Sequence, residues 1–159
     1  MRTLNIYTDG SHLKHTSGRL GIGGILVEDG KAVDKFSIEV PIDYLKRNYS
    51  TSDVSNPTCE MLATLFALRK FGWQFKKGDE IYMKADYKGV QEWLKGNWTT
   101  KAPYIKKIKE EIEAEINDLG LNGRIHFEWV KGHQNKSVLD PDAIWNNRVD
   151  LLSKGEDYE

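Results

Sequence analysis

Alternation of apolar and polar residues near the start of the chain predicts β-strands. The first such stretch is "TLNIYTD", and "GIGGILVEDGKAVDKFSIEV" follows as two further strands joined at Asp29-Gly30. An Asp-Gly pair is typical of a tight hairpin turn, because both residues tolerate a positive φ. The chain therefore opens with three strands that we expect to be antiparallel.

Beyond these strands, the spacing of apolar residues changes to that of helices. The segment "PTCEMLATLFALRKF" starts with proline and has a broad apolar surface, which predicts a helix packed on a sheet over 57–71. Residues 41–56 are polar and irregular, and we interpret them as a long connection. The remaining predicted elements are a strand over 79–86, a short helix over 87–96, an amphipathic helix over 103–119, a strand over 123–130 and a helix over 141–153.

The order βββ-α-β-α-α-β-α contains strand–helix–strand crossovers, which imply parallel pairing beside the antiparallel strands. We therefore predict an α/β fold with a five-stranded mixed sheet and helices on both of its faces. A length of 159 residues suits one domain. We place that domain at residues 1–155, followed by a short acidic tail over 156–159.

Composition narrows the class of protein. No stretch approaches the roughly 20 apolar residues that span a bilayer, and the first residues lack the features of a signal peptide. Cys59 is the single cysteine, which excludes an intrachain disulfide and fits a reducing compartment. We expect a cytoplasmic protein, monomeric and without membrane contact.

The net charge of −1 conceals an uneven distribution of charged residues. Residues 93–109 contain five lysines and no acid, and Trp93 and Trp98 lie among them. Lysines bind phosphates, and tryptophan offers a flat face to a sugar or base. The segment is therefore a candidate nucleic-acid surface, although both tryptophans could instead pack between helices.

Four acids occupy suggestive positions: Asp9 and Asp86 at the ends of predicted strands, Glu60 in the first turn of an apolar helix, and Asp150 in the last helix. Each has an ordinary alternative as a turn residue, a helix cap, a helix-dipole residue or an exposed acid. Clustered carboxylates repel one another unless divalent cations lie among them. Such hard oxygen ligands suit Mg²⁺ or Mn²⁺.

Five segments, in this order and roughly this spacing, resemble type I ribonuclease H: "YTDGS", "NPTCEMLATLFAL", "MKADYKGV", "WVKGHQ" and "NNRVDLLSK". The resemblance covers essentially the whole chain. It implies an endoribonuclease that cuts the RNA strand of an RNA–DNA hybrid and leaves 5′-phosphate and 3′-hydroxyl ends.

The resemblance also implies roles for individual residues. Asp9 would bridge two Mg²⁺ ions, for which Mn²⁺ can substitute. Glu60 and Asp86 would complete the site that activates the attacking water, and Asp150 would hold the ion facing the leaving group. His133 matches the mobile-loop histidine that assists proton transfer or product departure, which suits a side chain with an ordinary pKa near 6.5.

Substrate contacts follow from the same resemblance. Asn56 matches a residue that contacts the hybrid in the minor groove, where the ribose 2′-hydroxyl distinguishes RNA from DNA. The other candidates for binding the hybrid are Gly10, Ser11, Trp93, Trp98 and Lys101.

The chain departs from the family pattern in three places. His12 and His15 follow "TDGS" where other residues are usual, and His15 replaces a common asparagine, which puts one minor-groove contact in question. The segments 41–56 and 134–149 are longer than usual. Two alternatives stay open: a catalytically silent domain of this fold that binds nucleic acid or protein, and another metal-dependent nuclease of the same fold.

Overall fold

The computed structural model describes residues 2–13, 19–132 and 140–158. Its strands and helices alternate much as the pattern of the sequence predicts. The elements are β1 (Thr3–Leu13), β2 (Arg19–Glu28), β3 (Lys31–Val40), α1 (Ile42–Tyr49), α2 (Asn56–Phe71), a 3₁₀ turn (Gly72–Gln74), β4 (Glu80–Ala85), α3 (Lys88–Leu94), α4 (Pro103–Asp118), β5 (Ile125–Trp129) and α5 (Pro141–Ser153).

The strands form one five-stranded sheet in the order β3-β2-β1-β4-β5. β2 pairs antiparallel with both β1 and β3, whereas β4 pairs parallel with β1 and with β5. The hairpin between β2 and β3 turns at Asp29-Gly30, where both residues have a positive φ. The predicted mixed sheet is therefore confirmed, including its division into antiparallel and parallel parts.

Alternating side chains of β1 enter two different hydrophobic cores. Leu4 and Ile6 belong to the larger core, together with the buried residues of α2 and α4. Tyr7 lies on the opposite face, where it packs in a smaller core with Trp145 and Val149 of α5. This two-sided burial confirms helices on both faces of the sheet.

The segment interpreted as an irregular connection contains a helix that the sequence pattern did not predict. In α1, Leu45 and Tyr49 are buried and Ile42 and Tyr44 are half-buried, so the apolar stripe extends over only about two turns. Such a short stripe does not stand out from a polar background. The helix stops at Ser50, whose φ is 54°, and Asn48 accepts a hydrogen bond from Lys107 of α4.

The last described residues lie against the sheet. Lys35 of β3 pairs with Asp157 at 2.9 Å, and its ammonium lies 4.5 Å from the centre of the Tyr158 ring. Across the described ranges, the helices are too short or too polar to cross a bilayer.

Candidate active site

Asp9 lies just beyond the point where β1 stops pairing with β4 on one of its sides. The sequence pattern places the end of the first strand at Asp9, but β1 continues to Leu13 through its pairing with β2. The pairing with β4 ends at Thr8, opposite Ala85, because β4 stops there. The prediction of a strand end at Asp9 is therefore wrong for β1 itself. Asp9 nonetheless lies at an edge, since the neighbouring strand no longer covers it.

Gly10 brings Glu60 next to Asp9. A Cβ atom at Gly10 would lie 2.5 Å from the backbone carbonyl of Cys59, so glycine is needed for α2 to approach β1 this closely. The Gly10 backbone N–H donates to Asp9 Oδ1 at 2.9 Å and to Glu60 Oε1 at 3.2 Å. One backbone donor thus links two buried carboxylates from different elements.

Asp86 completes the group directly after β4. One carboxylate oxygen from each of Asp9, Glu60 and Asp86 lies within 4.8 Å of the other two, and we call these residues the three-acid cluster. Asn146 of α5 donates to Asp86 Oδ2 at 3.3 Å, and Gly132 leaves room for the same carboxylate. The α2 helix, the β4 end and α5 therefore each hold one part of the site.

Asn146 was not singled out from the sequence. Its side chain is 1% exposed, and its Oδ1 atom has no hydrogen-bond partner among the described residues. The signal that could have found it is an amide on the inward face of an otherwise apolar helix, four residues before Asp150. A buried amide needs hydrogen-bond partners, so an asparagine at this position indicates other polar groups beside the helix.

Asp150 reaches the same cavity from α5 without joining the three-acid cluster. The cavity has a volume of about 640 Å³, and Asp150 lines it with the three acids. Its Oδ2 atom accepts a hydrogen bond from Lys154 Nζ at 3.0 Å. This contact holds the pKa of Lys154 above its ordinary value. The structure thus brings all four predicted acids to one cavity, with three of them in mutual reach.

Burying three carboxylates next to one another is electrostatically unfavourable unless a cation is bound among them. Burial and the neighbouring Glu60 carboxylate raise the pKa of Asp9, and burial raises the pKa of Glu60. Glu60 Oε2 is buried and has no hydrogen-bond partner among the described residues. An unpaired carboxylate oxygen inside a protein is expensive unless a cation or proton neutralises it. An all-oxygen donor set with such an atom fits Mg²⁺ or Mn²⁺.

The proposed substrate contacts divide by location. Gly10, Ser11 and Asn56 line the acidic cavity, as do His12 and Trp129. His133, for which a catalytic role is predicted, lies outside the described residues, and so does His15.

An aromatic row leads from the acidic cavity to the lysine-rich segment. Tyr87 lines the cavity, its ring centre lies 6.0 Å from that of Trp93, and Trp93 in turn lies 6.0 Å from Trp98. Trp93 is buried in the larger core, whereas Trp98 is 43% exposed. Lys101 is exposed in the loop beyond them. Of the two tryptophans, Trp98 therefore offers the accessible ring face.

Comparison with known proteins gives concordant matches over nearly the whole chain. The RNase H family model matches residues 1–156. A Ribonuclease H from Nitrosomonas eutropha is 27% identical, over 99% of this chain and 96% of the relative.

Solved structures resemble the chain over a similar extent. RNase H1 from the halophilic archaeon Halobacterium salinarum superposes with a TM-score of 0.68 at 20% identity, covering 95% of this chain and 94% of that one. LC11-RNase H1 in complex with an RNA/DNA hybrid gives a TM-score of 0.66 at 19% identity, covering 96% and 95%. At these identities the solved structures establish the shared fold, and they confirm the fold that the resemblance implied.

Proposed function

Because the chain belongs to the RNase H family over residues 1–156, we propose that it is a metal-dependent endonuclease that hydrolyses the RNA strand of RNA–DNA hybrids. The observation that carries the proposal is the three-acid cluster at the sheet edge, with one oxygen of each acid within 4.8 Å of the others. A silent scaffold gains nothing from burying carboxylates that repel one another.

The acids of the cavity would hold two Mg²⁺ ions, with Mn²⁺ as a substitute. Bound there, the ions would supply positive charge to an attacking water and to a leaving oxygen. In this proposal Asp9 would help to hold both ions, Glu60 and Asp86 would complete the side of the attacking water, and Asp150 would serve the side of the leaving group. Water attacks the phosphorus as the bond to the 3′ oxygen breaks, which leaves 5′-phosphate and 3′-hydroxyl ends.

Binding of the hybrid would use two surfaces that the aromatic row connects. Gly10, Ser11 and Asn56 stand at the acidic cavity, where the RNA strand must approach the acids. Trp98 and Lys101, with Trp93 behind them, lie on the lysine-rich segment, where phosphate contacts and ring stacking are available. The similar LC11-RNase H1 was solved with an RNA/DNA hybrid, which supports the substrate class.

The remaining expectations form part of the same proposal. The proposal includes a role for His133 in assisting proton transfer or product departure, as its match to the mobile-loop histidine of the family implies. We also propose one catalytic domain over residues 1–155 that acts as a monomer, with residues 156–159 as its tail.

Cleavage of four labelled substrates tests this function. Purified protein is incubated with Mg²⁺ and, separately, a hybrid, duplex RNA, duplex DNA and single-stranded RNA. We expect cleavage confined to the RNA strand of the hybrid. Asp9→Asn should abolish turnover while hybrid binding persists, and Asp118→Asn, an exposed acid at the end of α4, serves as the matched control.

Other outcomes point to the alternatives. Hybrid binding without cleavage in either Mg²⁺ or Mn²⁺ would indicate a silent binding domain. Cleavage of duplex DNA or of single strands at comparable rates would indicate another nuclease activity on this fold. Near-normal activity of Asp9→Asn would show that the metal site lies elsewhere.

A further inference from the structure

Lys154 is a cation that forms an ion pair with Asp150, one of the acids of the proposed metal centre. Its ammonium lines the acidic cavity together with the four acids. It lies 3.0 Å from Asp150 Oδ2, one turn along α5, in the favourable orientation with the acid on the N-terminal side. The side chains of Lys154 and Asp150 are 49% and 24% exposed, so the pair sits at the mouth of the cavity.

The four acids of the cavity differ in their partners. Among the described residues, Asp9, Glu60 and Asp86 form the group within mutual reach of 4.8 Å, and Asp150 is not part of it. Glu60 Oε2, by contrast, is buried without a partner. The cavity therefore combines a buried Glu60 oxygen that has no hydrogen-bond partner with a fourth acid, Asp150, whose Oδ2 atom is already bound to an ammonium.

We propose that Lys154 is a positioning residue that competes with a divalent ion for Asp150, and so weakens metal binding on the Asp150 side of the cavity. This inference rests on the proposed function, because it concerns the ions that the acids hold. An ion that takes Asp150 Oδ2 as a ligand must displace the ammonium, and one that takes Oδ1 lies close to its positive charge, so either arrangement lowers the affinity for the ion.

The expected size of the effect follows from the exposure of the pair. Ion pairs this exposed stabilise by about 1 kcal/mol at most, which corresponds to a factor of about five in an equilibrium constant. Removing the ammonium should therefore tighten divalent-ion binding about two- to fivefold at low salt. Screening should reduce the gain as ionic strength rises.

Direct measurement of Mn²⁺ binding tests this inference without substrate or activity. Chelator-treated protein is titrated with Mn²⁺, and free Mn²⁺ is followed by its electron paramagnetic resonance signal. We expect Lys154→Met to bind Mn²⁺ more tightly than the unchanged protein, and Lys154→Arg, which keeps the cation, to restore the original affinity. Lys109→Met is the matched control, because Lys109 makes an i,i+4 pair with Glu113 on α4, away from the acids.

A double variant separates the ion pair from a general change in charge. In an Asp150→Asn background, Lys154→Met should give no gain if the lysine acts through Asp150. A gain that persists in that background would overturn the inference, and so would equal affinities of Lys154→Met, Lys109→Met and the unchanged protein. If the unchanged protein binds no Mn²⁺, the metal centre of the proposed function fails with it; if it binds and Lys154→Met does not differ, this inference alone fails.

Discussion

Replacing Gly10 with alanine tests whether the close approach of α2 to β1 positions the site. The added Cβ would lie 2.5 Å from the carbonyl carbon and oxygen of Cys59, which are helix backbone and cannot rotate away. Overpacking of this kind costs about 1–3 kcal/mol, and we expect a loss near 3 kcal/mol because the obstacle is rigid. The helix must also shift and take Glu60 with it. A shift of about 1 Å is enough to lower a catalytic rate about a hundredfold.

Two measurements check the Gly10→Ala prediction. Urea unfolding gives the change in the free energy of unfolding, and hybrid cleavage gives the change in kcat. Gly72→Ala is the control: its added Cβ would meet the flexible end of the Leu119 side chain at 2.9 Å, far along the chain from the acids. It should cost less stability and leave kcat unchanged. If the Gly10→Ala protein had normal stability and a kcat within twofold of the original, the close approach of α2 to β1 would not be what positions the site.

Three further predictions concern charge and stacking. Without metal, burial raises the pKa of Glu60 to about 8, so the folded protein binds more protons than the unfolded chain between about pH 4 and that value. The free energy of unfolding should therefore fall as the pH rises through this range. Urea unfolding in the presence of a chelator should show this decline, and Mg²⁺ should reverse it; a flat profile would contradict the prediction. Lys106→Gln, in the lysine-rich segment, should lower the slope of log affinity against log salt for the hybrid by about 0.7–0.9, whereas Lys70→Gln should leave the slope unchanged. Trp98→Ala should weaken hybrid binding by about 1–3 kcal/mol in a fluorescence titration, whereas replacing Trp73, which is 80% exposed in the 3₁₀ turn after α2, with alanine should not; equal effects would refute a stacking role.

The sequence pattern predicted the parts of the fold that depend on local periodicity. The hairpin turn at Asp29-Gly30, the last helix at 141–153 and the mixed sheet are all present. Helix α1 was missed because its apolar stripe of Ile42, Leu45 and Tyr49 covers only about two turns within an otherwise polar segment. The extent of β1 beyond Asp9 was missed because pairing with β2, not local composition, maintains it.

The candidate site shows a similar division between local and long-range information. Asp9, Glu60 and Asp86 could be proposed from their positions on predicted elements, because strand ends and helix starts meet at one sheet edge. Asn146 could not, since its importance comes from a contact with Asp86 that is 60 residues away in the chain. Whether Asp150 points to a metal or to Lys154 also depends on side-chain positions that no spacing encodes.

Anomalous X-ray diffraction from crystals soaked in Mn²⁺ would show whether the three-acid cluster is a divalent-metal centre. Asp9→Asn crystals soaked in the same way provide the comparison. We expect an anomalous peak between the carboxylates of Asp9, Glu60 and Asp86, and we expect this peak to be absent or much weaker in the variant. Mn²⁺ peaks elsewhere on the protein, with none at the three-acid cluster, would contradict this expectation.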